Sequence, residues 1–467
     1  METENGNAPE GFDSFEIWCD KNADKVLIDS LKHVSPFLQG VENVRVLPST
    51  ATVNRSPDLA YLRPLIKYDR ADLLILRDKH PVLIVEMTEH GYTGDHCMQR
   101  FARLASAGEE RIPVLYFTPF SRTRLDELEE TDEKTSKRNV SLHLFQGMKR
   151  IREIHGVPII AIDWPVNTRG LPRKASSSAT AEEKTRIYGE LLGLMEHIAR
   201  KHSGGPDRHP SLRRCKAIRE ALAKMDAQAA TVSARDSEIR FIGVPFQTVA
   251  EIIHRPSNMI SLVGRDYFFK GKDHKLIALL CLMNSQIRTV ENINGNHVMQ
   301  NANGLRQIPQ SVKRRPSVIH YCGFEKRSEP NGGIIVNTDY LFCRTGPTVL
   351  DRSQNLVLVW PRVFFHSDNH VANSLRLDLR DTVKGSQDTA LAGLILEKVR
   401  REKADPADHR YIANTKSSIG FWKETDTIGR ICRKFCDLII LNDAVLLGDH
   451  WKTTSRANGA LDGWLGM

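Results

Sequence analysis

The most constraining stretch of the chain runs from Asp72 to Thr88, where two apolar runs, Leu73 to Leu76 and Val82 to Val85, flank the polar segment Arg77-Asp78-Lys79-His80-Pro81. Apolar, β-rich runs on either side of turn residues read as a β-hairpin. Asp72 opens the first strand and Glu86 closes the second. In an antiparallel pair those two ends lie side by side, and Thr88, two residues beyond Glu86, falls on the same face. Carboxylates placed in this way are suited to share a hard divalent cation. The same pattern also describes a buried strand pair with a charged residue at each end, and its surroundings decide between the two.

The chain has 467 residues, room for two or three domains with their own cores. Its balance of 40% hydrophobic and 26% charged residues is that of a globular protein. No apolar run approaches the roughly 18 to 20 residues that span a bilayer, so no membrane segment is expected. Met1 to Asp13 is acidic and Gly/Asn-rich, with neither the basic nor the apolar region of a signal peptide, and reads as a frayed tail. Eight scattered cysteines, without a C-x-x-C pair, suit reduced thiols in a cytoplasm. The net charge of +9 and the pI near 9.1 point to a polyanionic partner.

Before the hairpin, apolar residues at helical spacing (Phe15, Trp18, Val26, Leu27, Leu31, Val34, Leu38) predict a helix over 15–38, with a short break near Asn22. Val41 to Val53 reads as a strand or strand pair, and Ser56-Pro57-Asp58 as a turn. After the hairpin a helix is expected from Gly94-Asp95 through Ala107, a strand at Ile112 to Phe117, and a charged helix from Arg122 to about Lys137. Strands are expected at Val140 to Phe145 and Val157 to Ile162. This order describes an α/β domain with a mixed sheet flanked by helices. Residues 167–185, rich in Ser, Thr, Ala and basic side chains, read as a linker, and two basic helices follow at Ile187 to Lys201 and Leu212 to Ala229. The domain divisions read in this way are 1–165, a connector at 166–235, and 236–467.

The last region reads as α+β: short strands at Ile239 to Val244, Ile260 to Phe269, Gly333 to Val336, Tyr340 to Arg344 and Asn355 to Val363, a buried helix at His274 to Asn284, and late helices at Leu391 to Lys403 and Ile428 to Cys436. Basic residues cluster at Arg213 and Arg214, at Lys313-Arg314-Arg315 and at Lys326-Arg327, beside Asn- and Gln-rich loops and the aromatic residues Tyr321, Phe324 and Tyr340. Lys and Arg suit phosphates, while Arg, Asn and Gln suit base edges, so these clusters are the candidate DNA contacts. Asp437-Leu-Ile-Ile-Leu-Asn-Asp echoes the start of the hairpin, but no Glu-x-Lys or Glu-x-Thr follows, and it reads as a core strand pair.

With Asp72, Glu86-Met-Thr88 and a following helix bearing Gln99 and Arg103, residues 13–165 resemble the PD-(D/E)XK nuclease superfamily. The resemblance implies a restriction-endonuclease-like fold in which Asp72 and Glu86 bind Mg²⁺, Gln99 is the helical polar residue, and Glu16 on the first helix is a further metal ligand. Thr88 stands where the family usually has Lys, and Ala71 where the family name has Pro. The Lys is replaced in some restriction enzymes of the superfamily. For the activation of water the resemblance then leaves a second metal ion, Glu89, or a lysine from elsewhere such as Lys67.

A nuclease core followed by a basic recognition region resembles Type IIS restriction endonucleases. That implies Mg²⁺-dependent hydrolysis of double-stranded DNA outside the recognition site, a homodimer or higher oligomer, and a bacterial cytoplasm. A structure-specific repair or recombination nuclease, and a non-catalytic DNA-binding protein on a degenerate nuclease fold, are the alternative readings.

Overall fold

In the computed structural model the chain divides into two compact units, Met1–Ser237 with Gly459–Met467, and Glu238–Asn458. The structure describes residues 15–89, 98–120, 141–166, 172–201 (177 excepted), 214–230, 241–264 (256 excepted) and, with interruptions, 290–322 and 332–451. The helices expected at Arg122 to Lys137 and His274 to Asn284 lie outside these residues.

The first unit is built on strand β1 (Phe15–Cys19), helix α1 (Asn22–Leu31), α2 (Pro36–Gln39), β2 (Asn43–Val46), α3 (Thr50–Arg55), β3 (Leu73–Arg77), β4 (His80–Met87), α4 (Phe101–Glu109), β5 (Val114–Thr118), α5 (Ser141–His155), β6 (Ile159–Asp163), α6 (Ala181–Lys201) and α7 (Lys216–Ala230). Its sheet has the order β2-β1-β3-β4-β5-β6. β1 runs parallel to β2 and antiparallel to β3, β3 and β4 form the hairpin, and β4, β5 and β6 are parallel. It is a mixed α/β layer of the expected class. The hairpin forms where it was expected, but its turn is only Asp78-Lys79, with φ of 51° and 63°. Two residues with positive φ give the turn twist that matches paired strands. Pro81 is already in the strand, opposite Leu76, where the register shifts and its missing N–H does least harm.

Several sequence expectations are corrected. The single helix over 15–38 is instead β1, α1, a short 3₁₀ turn and α2. Phe15 to Cys19 alternates, sending Ile17 and Cys19 into the core, and the long-range pairing with β3 decides it as a strand. In the Val41 to Val53 stretch only Asn43–Val46 is extended, and Pro57 begins a 3₁₀ segment, Pro57–Ile66, not a simple turn. In the strand expected at Val140 to Phe145, Val140 lies outside the described residues and the rest belongs to α5, which buries Leu144, Phe145, Met148 and Ile151 at helical spacing.

The two basic helices expected at Ile187 to Lys201 and Leu212 to Ala229 form as α6 and α7, but not as a separate connector. Ile187, Tyr188, Leu191, Met195 and Ile198 of α6, with Ile218 and Ala221 of α7, share one core with Ile17, Leu73, Val85 and Leu115 of the sheet. The first unit therefore ends near Ser237, not at 165. Which core these two helices join is set by long-range packing, not by their own apolar spacing.

The second unit carries α8 (Phe246–His254), α9 (Asn258–Val263), β7 (Val290–Ile293), β8 (Asn296–Met299), α10 (Gln310–Arg314), β9 (Ser317–Tyr321), α11 (Gly332–Thr338), β10 (Asn355–Val359), β11 (Val363–Phe364), β12 (Ser374–Asp378), α12 (Thr389–Arg401), β13 (Arg410–Asn414), β14 (Phe421–Trp422), α13 (Thr427–Phe435), β15 (Leu438–Ile440) and β16 (Val445–Leu447). Its main sheet has the order β7-β8-β16-β15-β10-β9, with β9, β10 and β15 parallel. The strands expected at Gly333 and Tyr340 are helical, as is the start of the one expected at Ile260, while the late helices and the β15–β16 strand pair form as expected. Of the strand expected at Ile239 to Val244, only an isolated bridge from Val244 to Ser317 is seen among the described residues.

Candidate active site

Leu73 pairs with Val85, so the next residues outward, Asp72 and Glu86, are cross-strand neighbours. The Met87 N–H donates to Asp72 Oδ2 at 2.7 Å and locks this end of the hairpin. The sheet's two faces divide the residues sharply. Ile17, Cys19, Leu73, Val85, Met87 and Leu115 pack into the core shared with α1 and α6, whereas alternation sends Asp20, Asp72, Glu86 and Thr88 to the opposite face.

On that face α4 contributes Arg103, whose Nη1 lies 3.2 Å from Asp72 Oδ1 and 3.0 Å from Glu86 Oε2. Its Nε is anchored 2.8 Å from Asp69 Oδ2. Burial works against the charge on Arg103, but Glu86, Asp69 and Asp72 outweigh it and hold the guanidinium more firmly protonated than usual. Glu86 is fully buried. Burial pushes its carboxyl well above the usual range; Arg103 opposes that shift, Asp72 adds to it and Arg100 opposes it.

Asp20 and Asp24, at the junction of β1 and α1, complete the corner. They and Asp72 offer oxygens that all lie within 4.8 Å of one another. Asp20 is tied to its neighbours by its N–H, which donates to the Asp72 carbonyl at 2.9 Å, and by Arg70 Nε, 2.8 Å from its carboxylate. Asp24 accepts the Lys21 N–H at 3.2 Å in the first turn of α1. Burial and the charge of Asp72 push the Asp24 carboxyl up to about 6.

The residues fit a hard divalent cation. All the acceptors are carboxylate oxygens, and Glu86 Oε1 is buried with no hydrogen-bond partner. The carboxylates of Asp20, Asp24, Asp69, Asp72 and Glu86 also outnumber the guanidiniums of Arg70, Arg100 and Arg103, even with the exposed Lys21 beside Asp20.

Asp72 and Glu86 thus come together as the hairpin reading expected. Thr88 is buried on the same face, its hydroxyl 2.8 Å from that of Tyr116 on β5. Gln99 does not join them: it is exposed, in a helical segment that ends before the turn residue Arg100, and α4 begins only at Phe101. The helical polar residue at the carboxylates is Arg103. Glu16 is also misplaced as a ligand, since it pairs with Leu76 at the other end of β1, where Tyr61 OH donates to it at 3.3 Å. Nor do the expected activators of water converge. Lys67 is held by Glu109 and Glu110 at 2.9 and 2.7 Å, near the far end of α4. Glu89 follows Thr88 onto the opposite face and pairs with Lys174.

Comparison of the chain with protein-family models, with curated proteins and with solved structures finds no match. The chemistry therefore rests on the site itself.

Among the basic clusters, Arg214 and Arg314 are exposed and Lys313 is half-buried, while Arg213, Lys326 and Arg327 lie outside the described residues. Arg315 is turned inward, its guanidinium 5.8 Å from the Trp451 ring and 3.4 Å from the Leu350 carbonyl. Tyr321 and Tyr340 are buried, so neither presents a ring for base stacking; Phe324 lies outside the described residues.

Asp437, which opens β15, is buried in a separate network. Arg352 bridges Asp437 and Asp339, Arg344 holds Asp339 at 2.8 Å, and His450 and Trp451 donate to Asp437 at 3.2 and 2.8 Å. Charges of both signs balance there without exposure to solvent, which is the arrangement of a structural core. No described helix is long and apolar enough to cross a membrane.

Sequence reasoning missed Asp20, Asp24 and Asp69, and left Arg103 in the background behind Gln99. The signal for Asp20 was the alternation Trp18, Asp20, which has meaning only once 15–19 is taken as a strand.

Proposed function

We propose that the chain is a Mg²⁺-dependent double-stranded DNA endonuclease with a restriction-endonuclease-like first unit, a Type IIS-like enzyme whose second unit reads the sequence. One observation carries this reading: Asp72 and Glu86 are buried cross-strand neighbours on the face beneath α4, with acceptor capacity left over. Mg²⁺, when bound, supplies a Lewis acid for the scissile phosphate and an acidified water for in-line attack. Asp72 and Glu86 would hold it, and Arg103 would keep the two carboxylates in register from the helix side. The net charge of +9 supports a polyanionic substrate, and Arg214 and Arg314 are exposed for phosphate contacts. Cutting both strands most simply takes two subunits.

One feature favours a second reading, a DNA-binding protein without catalysis. Arg103 already neutralises the carboxylate pair, and Thr88 is engaged with Tyr116 rather than carrying a charge. Incubating the purified chain with Mg²⁺ and a plasmid of known sequence separates the readings. Discrete fragments that vanish in Glu86→Ala, with DNA affinity kept, support the restriction-type nuclease. Nicking only at branched or damaged DNA points to a repair nuclease, and binding without cleavage to the non-catalytic protein. Full cleavage by Glu86→Ala removes Glu86 from the site.

A further inference from the structure

Arg103 meets the hairpin carboxylates at the oxygens a bridging cation would need. One nitrogen, Nη1, serves both acids, 3.2 Å from Asp72 Oδ1 and 3.0 Å from Glu86 Oε2. The other Asp72 oxygen, Oδ2, accepts the Met87 N–H at 2.7 Å. An ion bound by the two oxygens that face Arg103 lies about 2.0 to 2.6 Å from each, and so less than about 6 Å from Nη1. Among side chains only 6%, 8% and 0% exposed, for Arg103, Asp72 and Glu86, water does little to screen two cations at that range.

Arg103 nevertheless leaves the pair incompletely satisfied. Glu86 Oε1 is buried with no hydrogen-bond partner, and a buried carboxylate oxygen in that state is costly. One guanidinium nitrogen divided between two acids does not reach it, whereas a carboxylate can hold a divalent ion through both of its oxygens. Arg103 also has a second partner. Its Nε lies 2.8 Å from Asp69 Oδ2, and Asp69 is 34% exposed, so the guanidinium can withdraw from the hairpin without losing every counter-charge.

We propose that Arg103 is a resident cation that a divalent ion must displace from Asp72 and Glu86, and that it thereby sets how tightly the pair takes metal. Arg103 is a positioning residue in this scheme: it holds the two carboxylates in register in the metal-free chain and retreats to Asp69 when they are occupied. The inference rests on the reading of the hairpin pair as a metal site and deepens it, but it does not require that the chain cut DNA.

The test is calorimetric titration of the full-length, chelator-treated chain with Mn²⁺. Arg103→Gln is expected to bind Mn²⁺ more tightly than the wild type by at least about tenfold, the scale on which residues beside metal ligands alter affinity. A merely structural Arg103 predicts the opposite sign, because loosening the pair weakens the site. Arg103→Lys, which keeps a cation on α4, is expected to bind more weakly than Arg103→Gln. Arg150→Gln, which removes a positive charge from α5, is expected to change nothing. Melting followed by circular dichroism covers a variant that folds poorly: Mn²⁺ is expected to raise the melting temperature of Arg103→Gln more than that of the wild type, or to fold it outright. Equal or weaker binding by Arg103→Gln, with Mn²⁺ still bound by the wild type, overturns the proposal and leaves the metal reading standing. No binding by either chain, and no stabilisation of either by Mn²⁺, sinks both. Binding by Arg103→Gln alone upholds the proposal and sinks the nuclease reading in favour of a non-catalytic protein.

Discussion

Asp24→Asn is expected to make the protein more stable, which is the mark of a side chain kept for something other than folding. Asp24 accepts the Lys21 N–H in the first turn of α1, a favourable place for a carboxylate. Burial, with the charge of Asp72 adding to it, nevertheless raises its carboxyl from 3.8 to about 6. A carboxyl that binds its proton more tightly in the folded chain than in the unfolded one costs nothing while both are protonated. The cost grows as pH rises from the lower value to the higher, and is complete above the higher. Two pKa units correspond to about 3 kcal/mol, and because Asp24 is partly exposed, solvent screening brings this to about 1–2 kcal/mol. Asparagine keeps an oxygen for the Lys21 N–H and never ionises. Urea denaturation in chelator-containing buffer should therefore show Asp24→Asn more stable than wild type by about 1–2 kcal/mol near pH 7.5, and equal to it near pH 4. The chelator matters, because a bound cation would stabilise the wild type selectively. A variant that is less stable than, or equal to, wild type at the higher pH refutes the argument.

Two further substitutions probe the buried ion pairs. Arg103→Met leaves Asp72 and Glu86 without their shared partner, and should destabilise the first unit by about 3–5 kcal/mol in the same assay, however well the methionine packs. Arg352→Met should cost the second unit a similar amount, about 3–5 kcal/mol, read as a lowered melting temperature. In the wild type, burial alone would raise the Asp437 carboxyl; Arg352 and then His450 overcome it and hold it at about 2. That contribution is present at neutral pH and is lost as pH falls from about 4 towards 2, so the gap between wild type and Arg352→Met should close over the same range.

Local pattern alone specified the hairpin. Continuous apolar runs on either side of a polar turn need no distant contact to be recognised, and the antiparallel pairing then forces Asp72 and Glu86 together whatever packs around them. The parallel strands β5 and β6 and the late helices α12 and α13 were legible for the same reason, as apolar runs of strand length or with a clear helical period. Phe15 to Cys19 was not: a five-residue apolar run next to a helix continues a helical period almost as well as it alternates, and only pairing with β3 and β2 settles it. That one misreading hid Asp20 and Asp24, because a residue's face has no meaning until its element is known. Arg103 shows the limit most plainly. Its identity and its place after the hairpin are in the sequence, but that it reaches across to neutralise both carboxylates, while Gln99 points to solvent, depends on where α4 starts and how it lies on the sheet. The sequence by itself determined which carboxylates meet. Tertiary packing decided what lies between them, since that is set by contacts between segments far apart in the chain.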